Sequence, residues 1–395
     1  LLLYRWAFLN FVLWASLVFF VGSLTSKRIL THILCVGFFI FLIVSYEMNL
    51  IEDLRVGYGF APGIEDYSEM SGYGIFQQSA NWFFSLWLAL TVALVMAGIW
   101  LWKRGSDKKW KNRLSLKNMQ LGYVSKVIMF MFFGLFLLLM SFINKNVYDS
   151  GNFTPTALEE RLAAEYEKKY KYLETKPQPK YETLDLKLDF FPSERRVSFS
   201  ADITLTNKKG VDTLFVTTKD FAQMTSVQLN GQEVKVVKAD EDQNLTAYLV
   251  PQKLQKDSLL QLRLKGNKQY VGFVQSSFQA DITNKGSFGS IQDFLPVIGY
   301  DSDKELLENR KRKEQGLHRL ASRMPAIDDD FALSQNVFAT DADLVKGNIT
   351  ISTEEGQIPF TAGKLQKMET INGRTIAQYV IATQQEFNWY VGSSD

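Results

Sequence analysis

Residues 130–141 read FMFFGLFLLLMS. A buried helix of a soluble protein keeps a polar stripe for water, and this run has none on any face. Three further stretches are nearly as apolar: 1–24, 29–46 and 82–102, with 124–143 framing the quoted run. At a rise of about 1.5 Å per residue, 1–24 would cover roughly 36 Å, enough for a hydrocarbon core of about 30 Å. The reading is four membrane-spanning helices. A signal peptide is an alternative for the first stretch alone, which lacks a basic leader and a small-residue cleavage site.

The connecting loops orient these helices. Residues 25–28 hold Lys27 and Arg28, and 103–123 hold Lys103, Arg104, Lys108, Lys109, Lys111, Arg113 and Lys117 against Asp107. The loop between them, 47–81, carries Glu47, Glu52, Asp53, Glu65, Asp66 and Glu69 against Arg55. Clustered Lys and Arg stay on the cytoplasmic side, so the basic loops read as inside and everything after residue 143 as outside. The basic loop would also suit nucleic acid or anionic lipid, but a topology signal is the simpler reading. His32 and Cys35 share a helix face and read as packing residues. The chain begins inside a span without Met, which implies a piece lacking an odd number of earlier spans.

Whole-chain averages conceal this division. The 395 residues are 46% hydrophobic with net charge +2, and the mean hydropathy of −0.08 resembles that of a soluble protein. One cysteine excludes an intrachain disulfide and any multi-cysteine metal site. His32 and His318 are too far apart for a zinc-binding helix, and the balanced charge gives no case for nucleic acid.

After the last span, a helix reads from Thr154 or Thr156 to about Leu173, with Thr156 and Glu159 as a capping box. Leu158, Leu162, Tyr166 and Tyr170 form its apolar stripe, as in a stalk packed on the domain after it. Residues 176–180, with two prolines, read as a linker. The period then changes to two. Leu184, Leu186, Leu188 and Phe190 alternate with polar residues, and so do Val197, Phe199, Ala201, Ile203 and Leu205. Residues 227–237 form a hairpin about Asn230-Gly231, and 244–250, 258–264, 346–352 and 376–382 continue as strands. An antiparallel sandwich or saddle of about 200 residues fits. Residues 302–316 read as one charged helix, capped by Ser302 and Glu305 and closed by Gly316. Its run Arg310-Lys311-Arg312-Lys313 reads as a solvated helix end before a phosphate site.

The expected organisation is therefore a four-span membrane domain over 1–144 (helices about 1–24, 29–46, 82–102 and 124–143), then a stalk and linker over 145–180. A β-rich extracytoplasmic domain follows over 181–395, with the charged insertion near 302–316.

Residues 181–206 (YETLDLKLDFFPSERRVSFSADITLT) and 212–217 (DTLFVT) resemble the opening of the N-terminal β-domain of aminopeptidase N-like zinc peptidases. Residues 345–365 (VKGNITISTEEGQIPFTAGKL), Asn372-Gly373-Arg374 and 387–391 (FNWYV) resemble its closing strands. Joined to spans, and with 287–300 (SFGSIQDFLPVIGY) and the charged helix after it, the chain is similar to a bacterial family of ABC-type transporter permeases fused to such a peptidase.

The resemblance implies an inner-membrane protein with residues 145–395 in the periplasm. It also implies a zinc-bearing catalytic domain beyond Asp395 that trims peptides from their N-termini. Neither H-E-x-x-H nor a G-A-M-E-N-like strand occurs here, so no catalytic, cofactor-binding or metal residue is assigned and no cofactor is expected in these residues. The expected partners are the lipid bilayer, that catalytic domain and, through it, a peptide. The alternative is the permease half of an ABC-type transporter, partnered by a cytoplasmic ATPase at 103–123, with the β-domain capturing substrate. A domain that only binds a partner is the third reading. The family's loop near 287–296 faces its active site. The sequence departs from the family pattern there, so no substrate contact is assigned.

Overall fold

The computed structural model describes residues 2–25, 27–63, 74–102, 122–147, 153–207, 210–218, 223–250, 257–273, 282–283, 286–320, 326–330, 342–384 and 388–393. Most of the basic loop (103–121) and the acids Glu65, Asp66 and Glu69 lie outside these residues. The chain divides into two units: residues 1–156 with 271–279, and residues 157–270 with 280–395.

The first unit holds α1 (Leu2–Thr25), α2 (Arg28–Glu47), α3 (Gln77–Leu101) and α4 (Tyr123–Val147). All four are long and apolar enough to cross a membrane. Helix α3 is the central one, burying Phe83, Leu86, Trp87 and Ala89. Helices α2 and α4 instead turn large apolar side chains outward, Ile33, Phe41, Phe130 and Leu138 among them. The loop after α2 is ordered by its polar groups. Arg55 grips Asp53 at 2.6 Å and donates to the Asn144 side-chain oxygen at 2.6 Å. Tyr58 donates to the Leu13 carbonyl at 2.9 Å, and Trp87 Nε1 to that of Phe60 at 2.6 Å. Phe273 belongs to this unit too: its ring stacks on Trp82 at 6.1 Å, and its N–H donates to Asn146 O at 3.1 Å.

The second unit begins within α5 (Thr156–Tyr170), and fifteen strands follow among its described residues. Its main sheet has eight, in the order β13 (Lys364–Ile371), β14 (Arg374–Gln384), β11 (Ala342–Glu354), β1 (Lys180–Phe191), β2 (Arg196–Asn207), β8 (Ser258–Gln269), β4 (Gln223–Leu229) and β5 (Gln232–Glu233). The alternation in the sequence sets its faces. Leu184, Leu186, Leu188, Phe199, Ile203, Leu262 and Ile349 all turn inward, while Asp185 meets Asn348 and Asp202 meets Arg263 on the other face. A four-stranded sheet orders β10 (Val297–Ile298), β3 (Thr213–Thr217), β7 (Leu245–Leu249) and β6 (Val236–Asp240). A three-stranded sheet orders β12 (Gln357–Thr361), β15 (Asn388–Ser393) and β9 (Gly286–Ser290).

Three expectations are corrected here. The fold is not a purely antiparallel sandwich: three open sheets share the unit, and β1 pairs with β11 in parallel. No hairpin constrains two strands so distant in sequence, and both turn their apolar residues to the same core. The Asn230-Gly231 turn forms with positive φ at both residues, but its hairpin is two pairs long. Val236 then leaves for the four-stranded sheet. Finally, 302–316 is a short turn at Ser302–Lys304, capped by the Asp301 carboxylate, followed by a separate helix α6 (Asn309–Glu314).

Candidate functional site

Two constructions in the second unit bear on function. One fastens the stalk helix. Tyr166, Tyr170 and Leu173 pack with Phe215, Leu245, Ala247 and Tyr300 into a small core on the four-stranded sheet, and Tyr166 stacks on Tyr300 at 5.3 Å. Polar bonds tie the same helix face. Arg312 grips Glu167 with two parallel bonds of 2.6 and 2.7 Å. Two further N–H groups donate to the carbonyls of Leu306 and His318, at 2.8 and 2.7 Å. Arg312 is 2% exposed, so the basic run is not wholly a solvated helix end: two of its four cations face the stalk. Lys311 reaches Glu160 at 2.6 Å. The Tyr166 hydroxyl accepts the Asp301 N–H at 2.8 Å, and Asp240 holds both Lys169 and the Tyr170 hydroxyl.

These contacts shift the phenols. Burial raises Tyr166 to about 12 against the N–H donated by Asp301. Burial and the Asp240 carboxylate raise Tyr170 to about 12. Burial and the Glu305 carboxylate, which accepts the Tyr300 hydroxyl at 2.8 Å, push Tyr300 up as well. Each phenol is held protonated in the folded unit and ionises near 10 when unfolded. The stability they supply is complete below about pH 10 and is lost as pH rises to about 12. The urea midpoint of the second unit should fall over that range. A Tyr170→Phe/Tyr300→Phe variant should show a flatter decline, and parallel declines would refute the assignment.

The other construction is the outer face of the three-stranded sheet. Register places Phe288 opposite Tyr390 and Tyr390 opposite Phe360, one aromatic row across three strands. Phe288 and Phe360 are each 61% exposed and Tyr390 44%. The opposite face is the anchor: Trp389, 1% exposed, lies 4.5 Å from the Phe190 ring and 5.8 Å from Phe294. Tyr390 is held flat because Gly392 leaves room beneath it. A Cβ there would stand 2.2 Å from the Tyr390 hydroxyl. The neighbouring turn is structural: Ser290 accepts from Gln292 N at 3.2 Å, and Asp293 from Ser290 N at 3.1 Å.

In the first unit, a cavity of about 610 Å³ lies under the loop after α2, lined by Trp6, Trp14, Tyr46 and Tyr58 with Asn10 and Glu47. With its amide turned so that oxygen meets donor and nitrogen meets acceptor, Asn10 accepts from Trp6 Nε1 at 2.8 Å and donates to the Gly59 carbonyl at 3.2 Å. A second pocket lies at the other end of α1 and α2. It includes His32, which is exposed beside Lys27 and Arg28 and is not a packing residue. Among the described residues, no group of His, Cys, Asp and Glu is placed to hold a metal. The aromatic row, Arg312 and the His32 pocket escaped sequence reasoning. Only register or a helix face marks them out, and neither is visible in composition.

No protein-family model matches the chain, and no curated protein matches it. Among solved structures, it is similar to the M1 zinc metallopeptidase of Deinococcus radiodurans. With a mutant bound to a Tyr-Ser-Ala substrate it shares 13% identity at a TM-score of 0.35, over 54% of this chain and 42% of that one. With the unmutated enzyme of that organism it shares 12% at 0.34, over 55% and 42%. The chain spans about two-fifths of the length of these structures.

Proposed function

We propose that this chain is the membrane-anchored, non-catalytic part of a zinc aminopeptidase-like protein, and that its second unit holds a peptidase domain outside the membrane. The observation that carries the proposal is the aromatic row of Phe288, Tyr390 and Phe360. Two of the segments that build it (357–361 and 388–393) come from the stretches that resemble closing strands of the peptidase β-domain, and the third (286–290) overlaps the stretch that resembles the fused permease family. Exposed rings in a row mark a face made to be covered. The donors present do not suit zinc, since the only histidines are His32 and His318, so hydrolysis is assigned to the other domain. For the first unit, four helices of spanning length and the outward apolar faces of α2 and α4 support insertion in a bilayer.

Protein purified from its native membrane should release N-terminal residues from short peptides, and a zinc chelator should abolish this. Membrane-derived protein without chelator-sensitive activity would overturn the peptidase reading. A Phe288→Ser/Phe360→Ser variant should leave the stability of the second unit within about 0.5 kcal/mol, because both rings face outward. It should make the junction with the peptidase domain several-fold more sensitive to limited proteolysis. Unchanged sensitivity would show that the row is not the docking face.

A further inference from the structure

The pocket of about 440 Å³ at the shared end of α1 and α2 is lined by Lys27, Arg28 and His32 together with Phe19 and Trp102. We propose that it binds the phosphate headgroup of an anionic phospholipid. This rests on the membrane reading above and adds a ligand to it.

The charge is of one sign. No acid lines the pocket, and among the described residues Lys27, Arg28 and His32 pair with no carboxylate. Such like charges are gathered at a cost unless an anion joins them. The backbone adds to the field. Helix α2 starts at Arg28, and Lys27 at its N-cap is extended and supplies no side-chain cap. The first N–H groups of a helix have no acceptor within it, and their dipoles favour an anion. The pocket thus combines two long cations, an imidazole and a helix N-terminus.

The remaining wall selects a lipid over a free ion. Phe19 stacks on Trp102 at 5.4 Å and 20°, and Trp102 is 54% exposed at the end of α3, the position of an interfacial tryptophan. On α2 itself, Ile29, Ile33, Val36 and Ile40 repeat at helical spacing and are all exposed, from 54 to 77%. Those outward side chains belong to the helix that carries the cations and suit contact with acyl chains. A basic pocket between helices on the cytoplasmic side is a known means of holding anionic headgroups. By the loop charges, this end is the cytoplasmic one.

The test is native mass spectrometry of the full chain in detergent micelles, titrated with dioleoyl-phosphatidylglycerol, dioleoyl-phosphatidylcholine or inorganic phosphate. Detergent makes the result independent of bilayer insertion, which a separate experiment below examines. Phosphatidylglycerol should be retained about tenfold better than phosphatidylcholine, since its headgroup carries the net negative charge that the cations attract. Lys27→Gln/Arg28→Gln should reduce that preference to within about twofold, and His32→Gln should weaken it. Lys126→Gln, which removes a cation of α4 outside the pocket, should leave it intact. Equal retention of the two lipids overturns the proposal, as does a preference that survives in the double variant. Inorganic phosphate displacing the lipid at equal concentration would also overturn it, because the site would then read phosphate alone.

Discussion

Replacing Glu167 by leucine should cost the second unit about 3–5 kcal/mol, because it leaves the Arg312 guanidinium buried without its counter-charge. Arg312 is 2% exposed, and its bond to Glu167 is bidentate at 2.6 and 2.7 Å. A guanidinium stays protonated even without a carboxylate partner, so the residue cannot relieve the strain by losing a proton. The carbonyls of Leu306 and His318 still accept from it, but they carry no full charge. A Glu167→Leu/Arg312→Met variant should recover much of the loss, since an apolar pair of similar volume removes both desolvation costs. Recovery should be incomplete, because those two carbonyls then lose their donor. Hydrogen exchange over 157–173 in the full chain reads both effects: protection should collapse in the single variant and return in the double. Undiminished protection in Glu167→Leu would show that the stalk is held by its apolar stripe alone.

A second large loss is expected from Gly347→Ala. This glycine sits on β11 where the pairing with β14 slips register between Val345 and Gly347, and its φ is +155°. A Cβ there would stand 1.8 Å from the Leu184 carbonyl oxygen. The obstacle is backbone of the central parallel pair, so no side-chain rotation relieves it. The β1–β11 pairing must open locally, at a cost of about 3 kcal/mol or more. Gly392→Ala makes a useful contrast. Its Cβ meets only the far end of the Tyr390 ring, which can swing outward, so the loss should be smaller. Urea midpoints of the two variants should rank in that order. Gly347→Ala within about 1 kcal/mol of the parent would mean that the close approach is not rigid.

The elements themselves were legible because each imposes a period on its own residues. The four long helices follow from runs without a polar face, and β1 and β2 from strict alternation between Leu184 and Leu205. The stalk helix likewise runs from Thr156 to Tyr170, followed by a turn that ends at Leu173. The features that escaped depend on partners distant in sequence. Nothing local to β1 or β11 tells that they run parallel. Arg312 differs from Arg310 and Lys313 only in the direction it points from α6. Phe288, Phe360 and Tyr390 become a row only through the register of β12, β15 and β9. His32 and Cys35 share a helix face, yet only Cys35 is buried while His32 is exposed.

Everything proposed for this chain depends on its second unit standing outside a membrane that the first unit crosses, and cysteine labelling in intact cells tests this most directly. With Cys35→Ser as background, Asp242→Cys places a thiol on an exposed turn of the second unit, and Lys108→Cys places one in the basic loop. A membrane-impermeant maleimide should label the Asp242→Cys protein in intact cells, and the Lys108→Cys protein only after permeabilisation. Labelling of both before permeabilisation, or the reverse pattern, would contradict the account.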